Sequence, residues 1–373
     1  MAENTAVEAN KEIGEKPEPE FLPMNGGDGT YSYSKNSEFQ RIASNTVKEK
    51  IDEEIVHKLD VKHLSSISNT IRVADLGCST GPNTFISMQN VIKAIQLKHK
   101  SQSCPNSLEF QVFLSDRVSN DFNTLFNSIP QNFGQFFVAG VPGSFHDRLF
   151  PESSLHFVYT SHALHWLSKL PEELLDQNNP AWNKGRIYYE NGPREVYNAY
   201  ASQFYKDIER FLCLRAMELV AGGMMVIVMA GSNSSHVSSF GMTFEFMGSI
   251  LMEMAKEGLV REAQVDSFNV PIYAASVEEM VEVVEKNGCF SIGRIEFIKS
   301  TILEKKDIKI ADHISDRMKH SRAGMEGMIG KHFGAEIIDE MFQRLAKKLQ
   351  DHFQQLVLLA KESGQLFLVL KKR

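Results

Sequence analysis

A carboxylate and two glycines lie together in residues 71–83, IRVADLGCSTGPN, between a β-branched run and the helical pattern NTFISMQNVIKAIQ. Asp75 closes the predicted strand, and Gly77 and Gly81 flank the turn that opens the helix. Glycines let the backbone approach a bound molecule closely, and the carboxylate suits a cationic or hydroxyl-bearing one. The segment therefore predicts a ligand site at the carboxyl edge of an α/β sheet.

The spacing in this turn separates two kinds of nucleotide site. A dinucleotide fingerprint has the pattern G-x-G-x-x-G and an acidic residue about 20 positions later. Here the spacing is Gly77-x-x-x-Gly81, and the next acidic strand end, Asp116, follows 41 residues after Asp75. S-adenosylmethionine sites use the same strand, turn and helix with a looser glycine pattern. On the residues alone, Asp116 is either a ribose-binding carboxylate or a helix cap, and an ordinary strand-to-helix turn remains the alternative for the segment.

Two further strand ends carry groups suited to binding. The segment VPGSF supplies the Ser144 hydroxyl and the Phe145 ring, which either stacks on an adenine or belongs to the core. The segment YTSHALHWLSKLP contains His162, His165 and Trp166. Their imidazoles and indole provide a donor and a flat floor for a ligand, or they are structural. Two histidines without acidic or cysteine neighbours make a poor metal site.

Residues 24–40, MNGGDGTYSYSKNSEFQ, precede the first predicted helix and are rich in glycine, aromatic and polar residues. Such a strip is able to fold over a pocket as a clamp. Tyr33, Ser37 and Gln40 would then point inward, at spacings of four and three residues. The alternative for this segment is a disordered approach to the helix.

The fold that must position these groups is predicted by the alternation of strand-like and helical runs along the chain. Five strand-like runs alternate with helical runs, which predicts an α/β fold with a mostly parallel, doubly wound sheet. Runs at 294–300 and 365–372 are predicted to add strands at the far edge. A long helix is predicted to end at the double glycine 222–223, and another helical stretch covers 335–362.

The helices exceed what a minimal doubly wound sheet needs, so we expect an α-helical cap over the ligand edge. We predict a flexible acidic tail at 1–22 and a single domain at 23–373. The cap insertions are predicted at approximately 165–220, 232–290 and 301–350.

The composition of the chain excludes some classes of binding partner and indicates a cellular compartment. The net charge of -7, without a basic block, argues against nucleic acid. Four cysteines, Cys78, Cys104, Cys213 and Cys289, form no CxxC pair, which predicts buried thiols in a reducing compartment. There is no 18-residue apolar run and no hydrophobic targeting core, so we expect a cytoplasmic protein that does not bind membranes.

These segments together resemble the plant SABATH methyltransferases, which transfer a methyl group from S-adenosylmethionine to small carboxylic acids. The resemblance runs from about Met24 to the C-terminus. It is carried in order by GGDGTYSYSKNSEFQ, ADLGCSTGPN, HALHWLSKLP, NKGRIYYENGP, AYASQFYKDIERFL, SFNVPIY and KHFGAEIIDEMFQRL. It implies a class I S-adenosylmethionine-dependent methyltransferase fold, which is Rossmann-like, and a homodimer.

The resemblance also implies a map of the site. The positions expected to bind the cofactor are Tyr33, Ser37, Asp75, Cys78, Asn83, Asp116, Arg117, Ser144 and Phe145. The positions expected to line the acceptor site are Tyr33, Gln40, His162, His165, Trp166, His236, Phe244 and Ser321. Some members place a magnesium ion where this chain has Asn183, Asp266 and Phe268.

In this map Gln40 and Trp166 hold the carboxylate of the acceptor, and no residue acts as acid or base. A carboxylate is already ionised at pH 7, so its attack on the sulfonium methyl group needs no general base. Alignment then carries most of the catalysis, and it is worth up to roughly 7 to 11 kcal/mol in well-oriented systems. Neutral donors orient the anion without blunting its nucleophilicity.

The acceptor side departs from the pattern of members that take small aromatic acids. Ser321, Ala323 and Gly324 replace bulky residues, and the loop at 231–240 supplies His236 as a hydroxyl partner. The opening segment is most similar to enzymes that methylate loganate, an iridoid glucoside acid. This favours loganate as the acceptor. The alternatives are salicylate, jasmonate, a gibberellin or another terpenoid acid, nitrogen methylation of a purine alkaloid, and a sensor that binds the acid without catalysis.

Overall fold

The computed structural model describes residues 22–102, 107–131, 133–134, 136–233, 238–301 and 310–373. Within these ranges seven strands form one sheet in the order β3-β2-β1-β4-β5-β7-β6. The strands are β1 (Thr70–Leu76), β2 (Glu109–Asp116), β3 (Phe136–Pro142), β4 (Leu155–Ser161), β5 (Leu219–Gly231), β6 (Phe290–Lys299) and β7 (Gly364–Lys372). Strands β1 to β5 pair in parallel, and β7 runs antiparallel between β5 and β6. The predicted mostly parallel sheet with two added edge strands is confirmed.

Eleven α-helices connect or cover the strands in the described part of the chain. They are α1 (Glu38–Lys58), α2 (Val61–Ile67), α3 (Asn83–Ser101), α4 (Phe122–Asn127), α5 (Arg194–Glu218), α6 (Ser239–Lys256), α7 (Glu262–Ser267), α8 (Val277–Asn287), α9 (Ile310–Phe333), α10 (Ile338–Asp351) and α11 (Phe353–Glu362). Helix α5 contacts β5 and α8, whereas α10 packs on α6 and α9. None of the described helices is both long and apolar enough to cross a membrane.

Successive side chains of a strand point to opposite faces of the sheet. The central strands are buried on both faces, as is typical of parallel strands that are covered on each side. In β4, the side chains of Phe157 and Tyr159 join a cluster with α1 and α3, and that of Val158 joins the opposite cluster. In β7, Phe367 and Leu368 divide between the same two clusters. The sheet is thus the middle layer of three, and its carboxyl edge is left for a site.

The predicted end of the long helix is wrong by four residues. Helix α5 ends at Glu218, and the double glycine lies inside β5. Gly222 has a φ of 75°, and the register between β4 and β5 shifts between Leu155 and Phe157. A glycine pair marks a helix end or a strand irregularity equally well, and here the pairing with β4 decides for the strand.

Two smaller expectations also need correction. The stretch 335–362 is not one helix, because α10 and α11 are separated at His352, whose ring lies 4.9 Å from that of Phe246 on α6. Of the cysteines, Cys78 is buried but Cys213 is exposed, and Cys104 lies outside the described residues.

Candidate active site

The turn after β1 is held by the neighbouring strand β2. The amides of Gly77 and Cys78 donate to the carbonyl of Ser115 at 2.8 and 3.1 Å, and the amide of Ser79 donates to Asp116 Oδ2 at 2.7 Å. Gly77 has a φ of 86°, a conformation that favours glycine. Asp116 therefore fixes the shape of the turn as well as lining the cavity in front of it.

Two carboxylates stand at this turn, Asp75 buried and Asp116 partly exposed to the cavity. Thr84 Oγ1 donates to Asp75 Oδ2 at 2.5 Å. Burial raises the pKa of the Asp75 carboxyl to about 7, with a further contribution from the charge of Asp116. The pKa of Asp116 is also raised by burial, although the amides of Ser79 and Arg117 oppose the shift by donating to its oxygens. A ligand that presents cationic or hydroxyl groups at this edge would stabilise both carboxylates.

Residues 24–40 connect the turn to helix α9. The amide of Asn25 donates to the carbonyl of Ala323 at 2.9 Å, and its side chain donates to Glu326 at 3.0 Å. At the other end of the segment, Asn83 Nδ2 donates to the carbonyl of Ser37 at 3.0 Å. The predicted clamp thus has an ordered path across the carboxyl edge of the sheet.

A cavity of about 330 Å³ lies between the clamp, the turn and the helices α6 and α9. It brings together ten of the residues expected at the site. They are Tyr33, Gln40, Asp116, Arg117, Phe145, His162, His165, Trp166, Phe244 and Ser321. Leu22 also lines the cavity, although it falls within the predicted tail, whose residues 1–21 are not described.

Five expected cofactor residues surround the turn without lining this cavity. Ser37, Asp75 and Asn83 make the contacts given above, Cys78 is buried, and Ser144 Oγ accepts from the amide of His146 at 3.2 Å. The contacts of Ser37, Asp75 and Asn83 stabilise the backbone beside the turn after β1. His236 lies outside the described residues.

The histidines on the cavity wall are neutral. Burial lowers the pKa of His162 to about 4 and that of His165 to about 3, and a neighbouring imidazole adds to each shift. The Gln365 side chain opposes the shift at His162. Within the described ranges, His162 Nε2 and His165 Nδ1 are buried and meet no hydrogen-bond partner at bonding geometry. His162 also has a φ of 54°, and a non-glycine residue in this conformation is a strained feature of the kind found at functional sites. Both rings therefore offer uncharged polar atoms to a ligand.

Helix α9 contributes a guanidinium that the sequence analysis missed. Arg317 lines the cavity, and its Nη2 donates to the carbonyl of Ser239 at 2.7 Å and to Thr243 Oγ1 at 3.0 Å. Burial lowers the pKa of Arg317 to about 10, and no carboxylate of the described residues forms an ion pair with it. It is a partly buried positive charge facing the cavity, and no acidic side chain in the described ranges balances it.

The same helix carries His320, which also escaped the sequence analysis. Its Nε2 lies 3.1 Å from Gln40 Nε2, and both residues line the cavity. The one sequence signal that this helix lines the site was helical spacing. Arg317, Ser321 and Gly324 recur at intervals of four and three residues, and all three face the cavity.

The residues matched to magnesium ligands lie away from this cavity. Among the described residues no cluster of three His, Cys, Asp or Glu side chains is placed to hold a metal ion. However, Asn183 Oδ1 is buried and no described residue bonds to it, and Asp266 Oδ1 accepts from the amide of Gly185 at 2.8 Å. One carboxylate, one amide oxygen and the carbonyl of Phe268 are donors of the class that Mg²⁺ uses. The donor chemistry therefore fits the ion.

A family model described as SAM dependent carboxyl methyltransferase matches residues 19–373. The chain belongs to this family. The solved structure of a loganic acid methyltransferase with SAH superposes with a TM-score of 0.88 at 41% identity, and the match covers 94% of this chain and 99% of that one. The predicted class I methyltransferase fold is therefore confirmed.

Two curated relatives show the range of acceptors among similar proteins. The loganic acid O-methyltransferase of Catharanthus roseus is 42% identical over 361 residues, with 95% of each chain covered. A 3,7-dimethylxanthine N-methyltransferase of Camellia sinensis var. assamica is 37% identical over 338 residues, with 87% of this chain and 90% of the relative covered. As a member of the carboxyl methyltransferase family, this protein uses S-adenosylmethionine to methylate the carboxyl group of a small molecule.

Proposed function

We propose that the acceptor is loganate and that the product is its methyl ester, loganin. The observation that carries this proposal is the set of unpaired polar atoms on the buried cavity wall. In the part of the chain that the structure describes, Gln40 Oε1, His162 Nε2 and His165 Nδ1 have no hydrogen-bond partner, and Arg317 has no acidic one. Buried polar atoms are costly to leave unpaired, so the wall suits an acceptor that brings several oxygens. A glucoside acid meets this need better than salicylate or jasmonate.

The cavity also favours an anion over a neutral acceptor. Arg317 places an uncompensated positive charge on the wall, and the donor brings a sulfonium. A carboxylate is attracted by both charges and neutralises one of them, whereas a neutral purine neutralises neither. This argues against purine nitrogen methylation, although one of the relatives above carries out that reaction. Gln40 and Trp166, the expected carboxylate grip, both line the cavity.

In the proposed reaction one carboxylate oxygen attacks the methyl carbon as the bond from carbon to sulfur breaks. The oxygen takes up the methyl group, and the sulfur leaves as the neutral thioether of S-adenosylhomocysteine. No proton moves, so the neutral His162 and His165 are not needed as bases. The roles left to the chain are to orient the carboxylate through Gln40 and Trp166 and to exclude water.

Three further properties belong to this proposal. Mg²⁺ would be held by Asn183, Asp266 and the carbonyl of Phe268. The ion would connect the segment around residue 183 to the end of α7 and the residues that follow it. The orphaned Asn183 Oδ1 supports this assignment. A homodimer and a cytoplasmic location rest on the resemblance and on the sequence pattern.

A panel of acceptors with labelled S-adenosylmethionine tests the proposal. The panel contains loganate, salicylate, jasmonate, a gibberellin and a dimethylxanthine. We expect kcat/KM for loganate to exceed that for salicylate by at least about 10²-fold, because salicylate would leave the polar wall unpaired. Faster methylation of salicylate or of the xanthine would overturn the proposed acceptor. Binding of S-adenosylhomocysteine, measured by calorimetry, shows in every case that the protein is competent.

A further inference from the structure

His320 forms a bridge between the Gln40 side chain and the backbone of the clamp. Its Nε2 lies 3.1 Å from Gln40 Nε2, and its Nδ1 lies 3.0 Å from the carbonyl oxygen of Asn36. Gln40 and His320 are 280 positions apart, on α1 and α9. Each ring nitrogen of His320 thus has one partner, and the two partners decide which nitrogen carries the proton.

The carbonyl of Asn36 can only accept, so Nδ1 of His320 carries the hydrogen. Burial lowers the pKa of His320 to about 4. The hydrogen bond to the Asn36 carbonyl raises this pKa, whereas the charge of Arg317 lowers it further. The ring is therefore neutral at pH 7, and its Nε2 has a lone pair. It accepts from Gln40 Nε2, and this contact distinguishes the nitrogen from the oxygen of the Gln40 amide.

This contact leaves one group of the Gln40 amide for the acceptor carboxylate. The second hydrogen on Nε2 is available to donate, whereas Oε1 is buried and has no partner among the described residues. If the amide rotated by 180°, Oε1 would meet the lone pair of His320 Nε2, which is repulsive. The imidazole thereby selects one of the two orientations of the amide.

We infer that His320 is a positioning residue for the acceptor carboxylate, because it holds the Gln40 amide with its nitrogen directed at the carboxylate. The inference rests on the proposed function through the role of Gln40. The new element is the neutral imidazole of His320. The clamp anchors this ring, and the ring fixes the orientation of the amide of Gln40, which is distant in sequence. Without it Gln40 samples the orientation in which Oε1 repels the carboxylate.

A purely structural role is the competing explanation, since the His320 ring also packs on Phe39 at 5.4 Å between centroids. The chain offers a matched control for this role. His313 lies two turns earlier on α9, is buried, and packs on the same Phe39 ring at 6.0 Å. It has no described contact with Gln40. Comparing His313→Leu with His320→Leu therefore separates packing from the hydrogen bond.

The experiment is a double-mutant cycle between Gln40→Ala and His320→Leu. It uses the acid of the panel that the wild-type protein methylates fastest. We expect His320→Leu to raise KM for the acid at least about tenfold, as expected for losing a hydrogen bond to a charged group. In the Gln40→Ala background the same change should raise KM less than twofold. The Kd for S-adenosylhomocysteine should stay within twofold of wild type, and His313→Leu should leave KM unchanged.

Three results would overturn the inference. They are an equal effect of His320→Leu in both backgrounds, an equal effect of His313→Leu, and an unchanged KM in Gln40→Ala itself. If His320→Leu does not fold, His320→Phe replaces it in the cycle, because a phenyl ring keeps the packing on Phe39 and cannot accept from Gln40. His320→Gln, whose side chain can accept from Gln40, should keep part of the affinity. Wild-type turnover of loganate tests the proposed function separately, so a different preferred acid refutes loganate without refuting the role of His320.

Discussion

Gly77 and Ala163 face each other so closely that neither position has room for a larger side chain. A Cβ atom on Gly77 would lie 2.2 Å from the Cβ of Ala163 and 3.9 Å from the ring of Phe145. The backbone after β1 and the backbone after β4 therefore approach each other at the carboxyl edge of the sheet. The width of the cofactor site depends on this approach.

Gly77→Ala should damage both stability and cofactor binding. The added methyl group forces the two segments apart, and alanine is strained at a φ of 86°. We expect the free energy of unfolding to fall by about 1–3 kcal/mol, the usual cost of overpacking, and the Kd for S-adenosylhomocysteine to rise at least about tenfold. Thermal unfolding and calorimetry measure the two effects. Gly29→Ala is the control, since no atom of the described residues beyond its chain neighbours lies within 4 Å of the added Cβ. A Gly77→Ala protein that binds S-adenosylhomocysteine as tightly as Gly29→Ala would refute the argument.

Asp75 should make the cofactor-free protein less stable as the pH rises. Its native pKa of about 7 lies above the ordinary value of 3.8, so the native state binds the proton more tightly than the unfolded state. The penalty begins near pH 4, grows until about pH 7 and then levels off. It reaches at most about 4 kcal/mol, because one pKa unit corresponds to about 1.4 kcal/mol. Asp75→Asn should therefore raise the free energy of unfolding at pH 8 and have little effect at pH 4.

Asp121 supplies a control of opposite sign for this experiment. Hydrogen bonds from Thr124 and from the amide of Gly27 lower the pKa of its carboxyl. Asp121 therefore stabilises the protein above its unfolded pKa, and this contribution is lost as the pH falls. Asp121→Asn should reduce stability at pH 8, whereas Asp75→Asn should increase it. Equal signs for the two variants in urea titrations would contradict the assignment of the raised pKa.

The sequence predicted the parts of the site that follow from local pattern. Asp75 and Asp116 stand at strand ends, and parallel strands bring such ends to one edge whatever the rest of the chain does. The contact between Gln40 and His320 was out of reach, because it depends on how α9 lies across α1. Arg317 was missed for the same reason. An arginine in an amphipathic helix is ordinarily exposed, whereas this one is partly buried beside α6, where it donates to the Ser239 carbonyl and the Thr243 hydroxyl.

A magnesium ion at Asn183 and Asp266 should be detectable through stability alone. If the ion binds the native state, it raises the melting temperature in proportion to its occupancy. We expect added MgCl₂ to raise the melting temperature of metal-free protein and Asp266→Asn to abolish this effect. Asp176→Asn is the control, since Asp176 caps an exposed turn by accepting from the amide of Asn178. A wild-type melting temperature that is the same with MgCl₂ and with EDTA would refute the site.

Arg317→Met should separate acceptor binding from stability. The substitution removes a partly buried charge that has no acidic partner among the described residues. The carbonyl of Ser239, which loses the guanidinium, still accepts from the hydroxyl of Thr243 at 2.9 Å. We therefore expect the free energy of unfolding to stay level or rise, because desolvating an unpaired guanidinium is costly. The kcat/KM for the preferred acid should fall at least about tenfold, as expected when a charged donor is lost. On the same helix, Arg322→Met breaks ion pairs with Glu326 and Asp339 and should lower stability slightly while leaving kcat/KM unchanged. If Arg317→Met instead destabilised the protein and left kcat/KM intact, Arg317 would be a structural residue and the anionic preference of the cavity would need another source.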